Sequence, residues 1–250
     1  MQKQHRRQSQ KRRITKIGTS SSTSLLPQEK NANSKSNINS NTNMDETTGK
    51  CKYGIKNYWD KMYEGTGDRP SQSYSWYCGW TELSPFWTEL VPDRLSHILI
   101  AGIGNDLTPS ALYDEGWRNI TAFDYSESGV KKARNLFGEK RSEGVTIMTA
   151  DARDLPICDG SVDAVLDKGT LDAIFIAGEE IFQEAVKEMT RVTAKSGVMV
   201  CVSNVIPSEV LLKSFNATSW ENIHDGGLAF APDGEATIDL GADLLSWRRL

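Results

Sequence analysis

The stretch Ile98-Leu99-Ile100-Ala101-Gly102-Ile103-Gly104-Asn105-Asp106 decides the fold. A short apolar run stopped by glycine reads as a buried strand that opens into a tight turn. Gly102 and Gly104 let the backbone bend there and approach a ligand with no Cβ in the way. Beyond the turn, Thr108 is placed to cap a helix with Pro109 at its first position, and Gly116 to close it. Working outward, residues 120–123 form a second strand that ends in Asp124, and Ser126 caps a helix that reaches Phe137 before Gly138. Residues 145–149 and 162–166 read as strands three and four. A helix over 180–192 leads through Gly197 into strand five, 198–202. A helix over 207–215 follows, then a hairpin across 220–250 with turn signals at Asp225-Gly226 and Asp233-Gly234. Strands that alternate with helices predict an α/β architecture, a mostly parallel sheet covered on both faces.

On the N-terminal side, residues 56–63 suit a short helix, and an aromatic-rich loop runs through Tyr74, Trp76, Tyr77 and Trp80. Residues 1–50 are polar and basic, with too little apolar surface to offset the entropy of ordering. They are expected to be a disordered tail ahead of one domain over 51–250. Lys11-Arg12-Arg13 also allows a nuclear signal, and the acid-free start an organelle transit peptide. A cytoplasmic location is expected, with nucleus and mitochondrion left open by that tail. No stretch is long and apolar enough to span a bilayer, and no secretory h-region is present.

Charge narrows the partners. Residues 1–28 hold seven Lys and Arg and no acid; taking those seven from the formal net charge of −4 leaves −11 for the remainder. An acidic domain is a poor match for nucleic acid, whose phosphates need cations, but suits a basic protein substrate. Cys51, Cys78, Cys158 and Cys201 are far apart, with no CxxC pair, so free thiols are expected and no metal site.

Three clusters carry chemistry. The glycine turn is followed about 20 residues later by Asp124, where an acid at a strand end accepts hydrogen bonds from ribose hydroxyls. Capping the helix beside Ser126 is the plainer role for the same acid. A nicotinamide enzyme would also use this pair, but Leu107 stands where the third glycine of that fingerprint belongs. That glycine serves packing beneath a pyrophosphate, which S-adenosylmethionine does not possess. After strand three, Thr149-Ala-Asp151-Ala152-Arg-Asp-Leu-Pro156 places a carboxylate and the Ala152 amide to read the edge of adenine. After strand four comes Asp167-Lys168-Gly169-Thr170-Leu171-Asp172, with more polar groups than a turn requires.

Asp167 to Ala173, together with Tyr58-Trp59-Asp60-Lys61-Met62-Tyr63, resembles a eukaryotic methyltransferase-like family that includes the lysine methyltransferases of elongation factor 1-alpha and of citrate synthase. The resemblance covers about residues 55 to 205. It implies a Rossmann-like methyltransferase fold, a mostly parallel seven-stranded sheet with a C-terminal antiparallel hairpin, S-adenosylmethionine as cofactor, and a protein lysine as acceptor, for instance on a basic translation factor. Carried over by position, cofactor contacts fall to Trp59, Tyr63 and Trp76, to Gly102 and Gly104, to Asp124 and Tyr125, to Asp151 and Ala152, and to Lys168 in the loop after strand four. Two departures stand out. The family's Gly-Cys-Gly-Asn-Ser is here Gly102-Ile-Gly-Asn-Asp106, and its Tyr-Asp-Trp is Tyr74-Ser75-Trp76. The C-terminal region matches poorly, which leaves the acceptor open.

Read without the family, Trp59, Tyr63 and Trp76 are ordinary packing aromatics, and His97 and His224 are structural. For catalysis, Asp167 or Asp172 is expected to position the acceptor amine, with Tyr63 or Trp76 enclosing the methyl group. A small-molecule methyltransferase on the same fold, or a non-catalytic cofactor-binding partner, remains an alternative.

Overall fold

The computed structural model describes residues 43–45, 48–231 and 237–250. The basic segment before residue 43 and the Asp233-Gly234 turn lie outside the described residues. The boundary placed at residue 50 falls inside a small turn, in which Met44 bridges Cys51 and the Lys52 amide donates to the Asn43 carbonyl at 2.7 Å.

Seven strands form one sheet in the order β3-β2-β1-β4-β5-β7-β6. They are β1 (Ile98–Ala101), β2 (Ile120–Asp124), β3 (Val145–Thr149), β4 (Val162–Lys168), β5 (Thr193–Ser203), β6 (Trp220–Phe230) and β7 (Ile238–Arg249). The first five are parallel; β7 pairs antiparallel with both β5 and β6. This is the expected topology, and the sequence reason is the near-continuous apolar character of strands covered on both faces.

Side-chain alternation sorts the strands onto two cores. Ile98, Ile100, Ala122, Leu166 and Val200 share one with Leu83, Trp87, Leu112 and Trp117. Leu99, Ala101, Phe123, Val165 and Met199 share the other with Phe182, Val186, Met189 and Val192. The last four come from α6 (Glu179–Val192), whose buried residues recur at helical spacing on one face. The remaining helices are α1 (Lys56–Glu64), α2 (Trp80–Leu90), α3 (Thr108–Asp114), α4 (Glu127–Phe137), α5 (Thr170–Ala177) and α7 (Ser208–Ser214). None in the described residues is long and apolar enough to cross a membrane.

Several local expectations change. Ser126 does cap α4, its hydroxyl accepting from the Gly129 amide at 3.1 Å. Thr108 does not cap α3. It lies inside the helix, and its own amide donates to Asp106 Oδ1 at 3.0 Å, so Asp106 does the capping. Trp80 opens α2 instead of ending a loop. Glu82 accepts from the Gly79 amide at 2.9 Å and fixes that helix start, whereas Pro85 inside the helix hides it from a sequence reading. Asp225-Gly226 sits within β6, paired with Leu245 and Leu244, rather than in a turn.

The hairpin is anchored by Trp247, fully buried and stacked on Phe215 with ring centroids 4.5 Å apart. Trp247→Ala should therefore lower unfolding stability by about 3–5 kcal/mol in urea denaturation, the usual cost of deleting a large buried aromatic. A change below about 1 kcal/mol would mean that the hairpin is not part of the cooperative core.

Candidate functional site

Beyond the carboxyl ends of β1, β2 and β4 lies a cavity of about 320 Å³, bordered by α1, the aromatic segment and α5. That is the place where open parallel sheets bind ligands, and the volume falls at the lower end of the range for small-molecule sites.

Gly102 shapes its floor. Its φ is +56°, and a Cβ there would lie 2.0 Å from the Thr170 hydroxyl oxygen, which itself donates to the Ala101 carbonyl at 3.0 Å. Gly104, at φ +49°, does not border the cavity. Its amide donates to Asp124 Oδ2 at 3.0 Å, and Tyr63 packs where its Cβ would stand. Asp124 also accepts from the Ser126 amide at 2.8 Å. Burial is the larger influence and pushes its carboxyl up to about 6, against the lowering pull of those two amides. Asp124 thus braces the start of α4, the plainer role read from the sequence, and also borders the cavity.

Trp59, Tyr63 and Trp76 all line the cavity, with Tyr125 and Phe123. Trp59 stacks on Tyr63 at 6.3 Å and meets Trp76 edge-on at 5.9 Å. Its indole donates to the Tyr53 carbonyl at 2.8 Å. Tyr53 and Tyr58 extend this cluster outward. Asp151 and Ala152 border the cavity too. Arg153 pairs with both oxygens of Asp151, at 2.9 and 2.7 Å, and holds its carboxyl below the usual range. Arg153, Lys56 and the α5 residues Ala173, Ile174 and Ala177 are lining residues that sequence reasoning missed. An apolar helix such as α5 shows no amphipathic stripe to reveal it, and Arg153 could have been found only from its place beside Asp151.

Lys168 is the final residue of β4, not part of a following loop. Its side chain is 6% exposed, and its ammonium donates to the Trp76 and Cys78 carbonyls at 2.9 and 3.0 Å and pairs with Asp106 at 2.7 Å.

The two carboxylates expected to meet the acceptor amine do not reach the cavity. Asp167 is fully buried, accepting from the Leu171 amide at 3.0 Å and from the Cys201 thiol. Desolvation, then the neighbouring Asp172, raises its carboxyl to about 7. Asp172 accepts from the Tyr77 hydroxyl at 2.5 Å, the Ser203 hydroxyl at 2.5 Å and the Asn204 amide at 3.1 Å. Neither is among the residues that border the cavity. On β4, Asp167 points to the face opposite Lys168, and Asp172 on α5 is taken up by Tyr77, Ser203 and Asn204. These acids brace the ends of β4 and β5 and, through Tyr77, the aromatic segment.

A family model described as a methyltransferase domain matches residues 99–201. An eEF1A lysine and N-terminal methyltransferase of Xenopus laevis is 29% identical over 174 residues, which cover 67% of this chain and 24% of that protein. An EEF1A lysine methyltransferase 4 of Bos taurus is 29% identical over 63% of this chain and 64% of its own length. The chain thus spans about a quarter of the first relative and under two thirds of the second. Among solved structures, the N-methyltransferase NodS of Bradyrhizobium japonicum WM9, in complex with S-adenosyl-L-homocysteine, superposes with a TM-score of 0.58 at 13% identity, covering 78% of this chain and 99% of that one. The cyclase SpnF gives 0.56 at 17% identity, covering 79% and 96%. Such distant likeness shows the shared fold, and a cyclase among the matches shows that the fold does not by itself fix the reaction.

Asp167 supplies a test of the buried acids. Its raised folded-state value means that folding holds its proton more tightly than the unfolded chain does. Its contribution to stability is therefore full near pH 4 and is lost as pH rises through about 7. Relative to the parent chain, Asp167→Asn should gain in thermal midpoint between pH 5 and pH 8. A difference that stays constant across that range would show that Asp167 is already ionised throughout.

Proposed function

We propose that this chain, a class I S-adenosylmethionine-dependent methyltransferase, transfers methyl groups to lysine side chains of a protein substrate. The observation that carries the reading is a cavity lined by a buried acid, Asp124, together with the aromatic side chains of Trp59, Tyr63, Trp76 and Tyr125. Asp124 suits the ribose hydroxyls, the Ala152 amide and Asp151 suit the edge of adenine, and the open backbone at Gly102 suits the amino-acid end. The lysine preference is supported by the names of the relatives and by the acidic balance of residues 29–250, which favours encounter with a basic protein.

Bound S-adenosylmethionine supplies an electrophilic methyl group on sulfur, and the thioether left behind needs no protonation. What remains for the protein is orientation and desolvation, and alignment of reactants alone is worth up to about 7–11 kcal/mol. A lysine acceptor must also be neutral, which costs roughly 4.6 kcal/mol at pH 7 from a reference value near 10.4. Trp59, Tyr63, Trp76 and Phe123, which line the cavity, offer an apolar surface that disfavours the ammonium and lowers this cost. With Asp167 and Asp172 turned away from the cavity, no carboxylate from the end of β4 stabilises the charged form there.

Asp124 links binding to pH. Above about 6 its carboxylate is ionised and accepts from hydroxyl donors; below, it is protonated and that acceptor is weakened. The Kd for S-adenosylhomocysteine, measured by calorimetry, should rise as pH falls through 6. Asp151, held low by Arg153, stays ionised over the same window. Asp124→Asn should bind about tenfold more weakly at pH 8 and lose most of this dependence. An unchanged profile in the variant would remove Asp124 from the ribose role.

The acceptor is tested by incubating the protein with methyl-labelled S-adenosylmethionine and a cell lysate. Label should enter protein bands, and tryptic mass spectrometry of those bands should place it on lysine side chains. Label confined to small molecules would refute the lysine reading.

A further inference from the structure

Ser75, in the aromatic segment, and Asp106, after the glycine turn, lie 31 positions apart in sequence and touch each other. The Ser75 hydroxyl donates to Asp106 Oδ1, so that a hydroxyl and a carboxylate face one another across one contact.

That contact is part of a larger junction. Asp106 Oδ1 also accepts from the Thr108 amide at 3.0 Å, while Oδ2 pairs with the Lys168 ammonium at 2.7 Å. The side chains of Lys168 and Asp106 are only 6% and 16% exposed, so the pair is poorly screened. A lysine ammonium has three donors and no acceptor. All three are engaged, by Asp106 and by the carbonyls of Trp76 and Cys78. Lys168 thus borders the cavity with no donor left for a ligand, and acts on the site through the backbone of Trp76. The Tyr74 amide adds a further tie, donating to the Asn105 carbonyl at 3.1 Å. Tyr77, the next residue, is held at φ +63°, a backbone conformation that persists only when its surroundings enforce it.

We propose that Lys168, Asp106 and Ser75 form a lock that positions Trp76 against the cofactor cavity, and that positions 75 and 106 work as an exchangeable carboxylate–hydroxyl pair. These are positioning residues. They set where the aromatic wall stands and touch no reacting atom. An acid at 75 paired with a hydroxyl at 106 restores the same contact from the other side and keeps a carboxylate at the junction.

The test is a double-mutant cycle with Ser75→Asp, Asp106→Ser and the double variant, each titrated with S-adenosylhomocysteine. Each single change should weaken binding about tenfold, from two facing acids in the first and an uncompensated Lys168 in the second. The double variant should recover most of the loss, an outcome that a merely structural role for each residue would not produce. Losses that multiply in the double variant, or single variants that bind like the parent chain, would overturn the lock. Ser75 is exposed, so if Asp106→Ser folds poorly, Ser75→Asp alone still tests the contact, and binding unchanged from the parent chain would overturn the lock. Because the binding readout rests on the cofactor reading, the same cycle is measured from thermal midpoints without ligand. A folded parent chain that takes up no S-adenosylhomocysteine counts against the cofactor reading alone, and the pairing is then decided by whether those midpoints show recovery in the double variant.

Discussion

The turn after β1 can be built only around a residue without a side chain. At Gly102 the backbone is left-handed and passes so close to Thr170 that a methyl group would occupy the place of its hydroxyl. This close approach binds the end of β1 to the start of α5 and brings Ala101 within reach of the Thr170 hydroxyl. From it follow the position of the glycine loop, the access of Asp106 to the end of β4, and the floor of the cavity. The rest of the site is arranged around a backbone that has been allowed to come near.

Four acids near that edge illustrate how position decides role. Asp124 borders the cavity while two backbone amides hold it, and Asp151 borders it while Arg153 neutralises it. Asp167 and Asp172 point the other way and serve the framework. Residue type alone would group all four. What separates them is whether hydrogen bonds from the protein leave a face open to the ligand.

Much of the fold was legible because strands buried on both faces write long apolar runs, and because Ser126 and Gly138 bracket α4 with ordinary chemistry. Where the reading failed, the cause is local. Proline concealed α2, and uniform apolarity concealed α5. Thr108 offered the usual capping hydroxyl, but Asp106, two residues earlier, had a longer reach. The site was legible to the same degree. Trp59, Tyr63, Trp76, Gly102, Asp124, Tyr125, Asp151, Ala152 and Lys168 border the cavity, although Lys168 gives its ammonium to the protein, whereas Gly104, Asp167 on β4 and Asp172 on α5 do not. Alternation along β4 puts Asp167 and Lys168 on opposite faces, but residues from both faces reach the cavity, so pattern alone did not say which of them would.

The ties on the aromatic segment join residues far apart along the chain. Lys168 reaches the Trp76 and Cys78 carbonyls across 92 and 90 positions, and Asp172 reaches Tyr77 across 95. Closing so long a loop carries an entropic penalty, which the contacts of the assembled sheet help to offset. The aromatic wall is therefore held by contacts that only the completed sheet can supply, so its place depends on the far half of the domain rather than on its own neighbours in sequence.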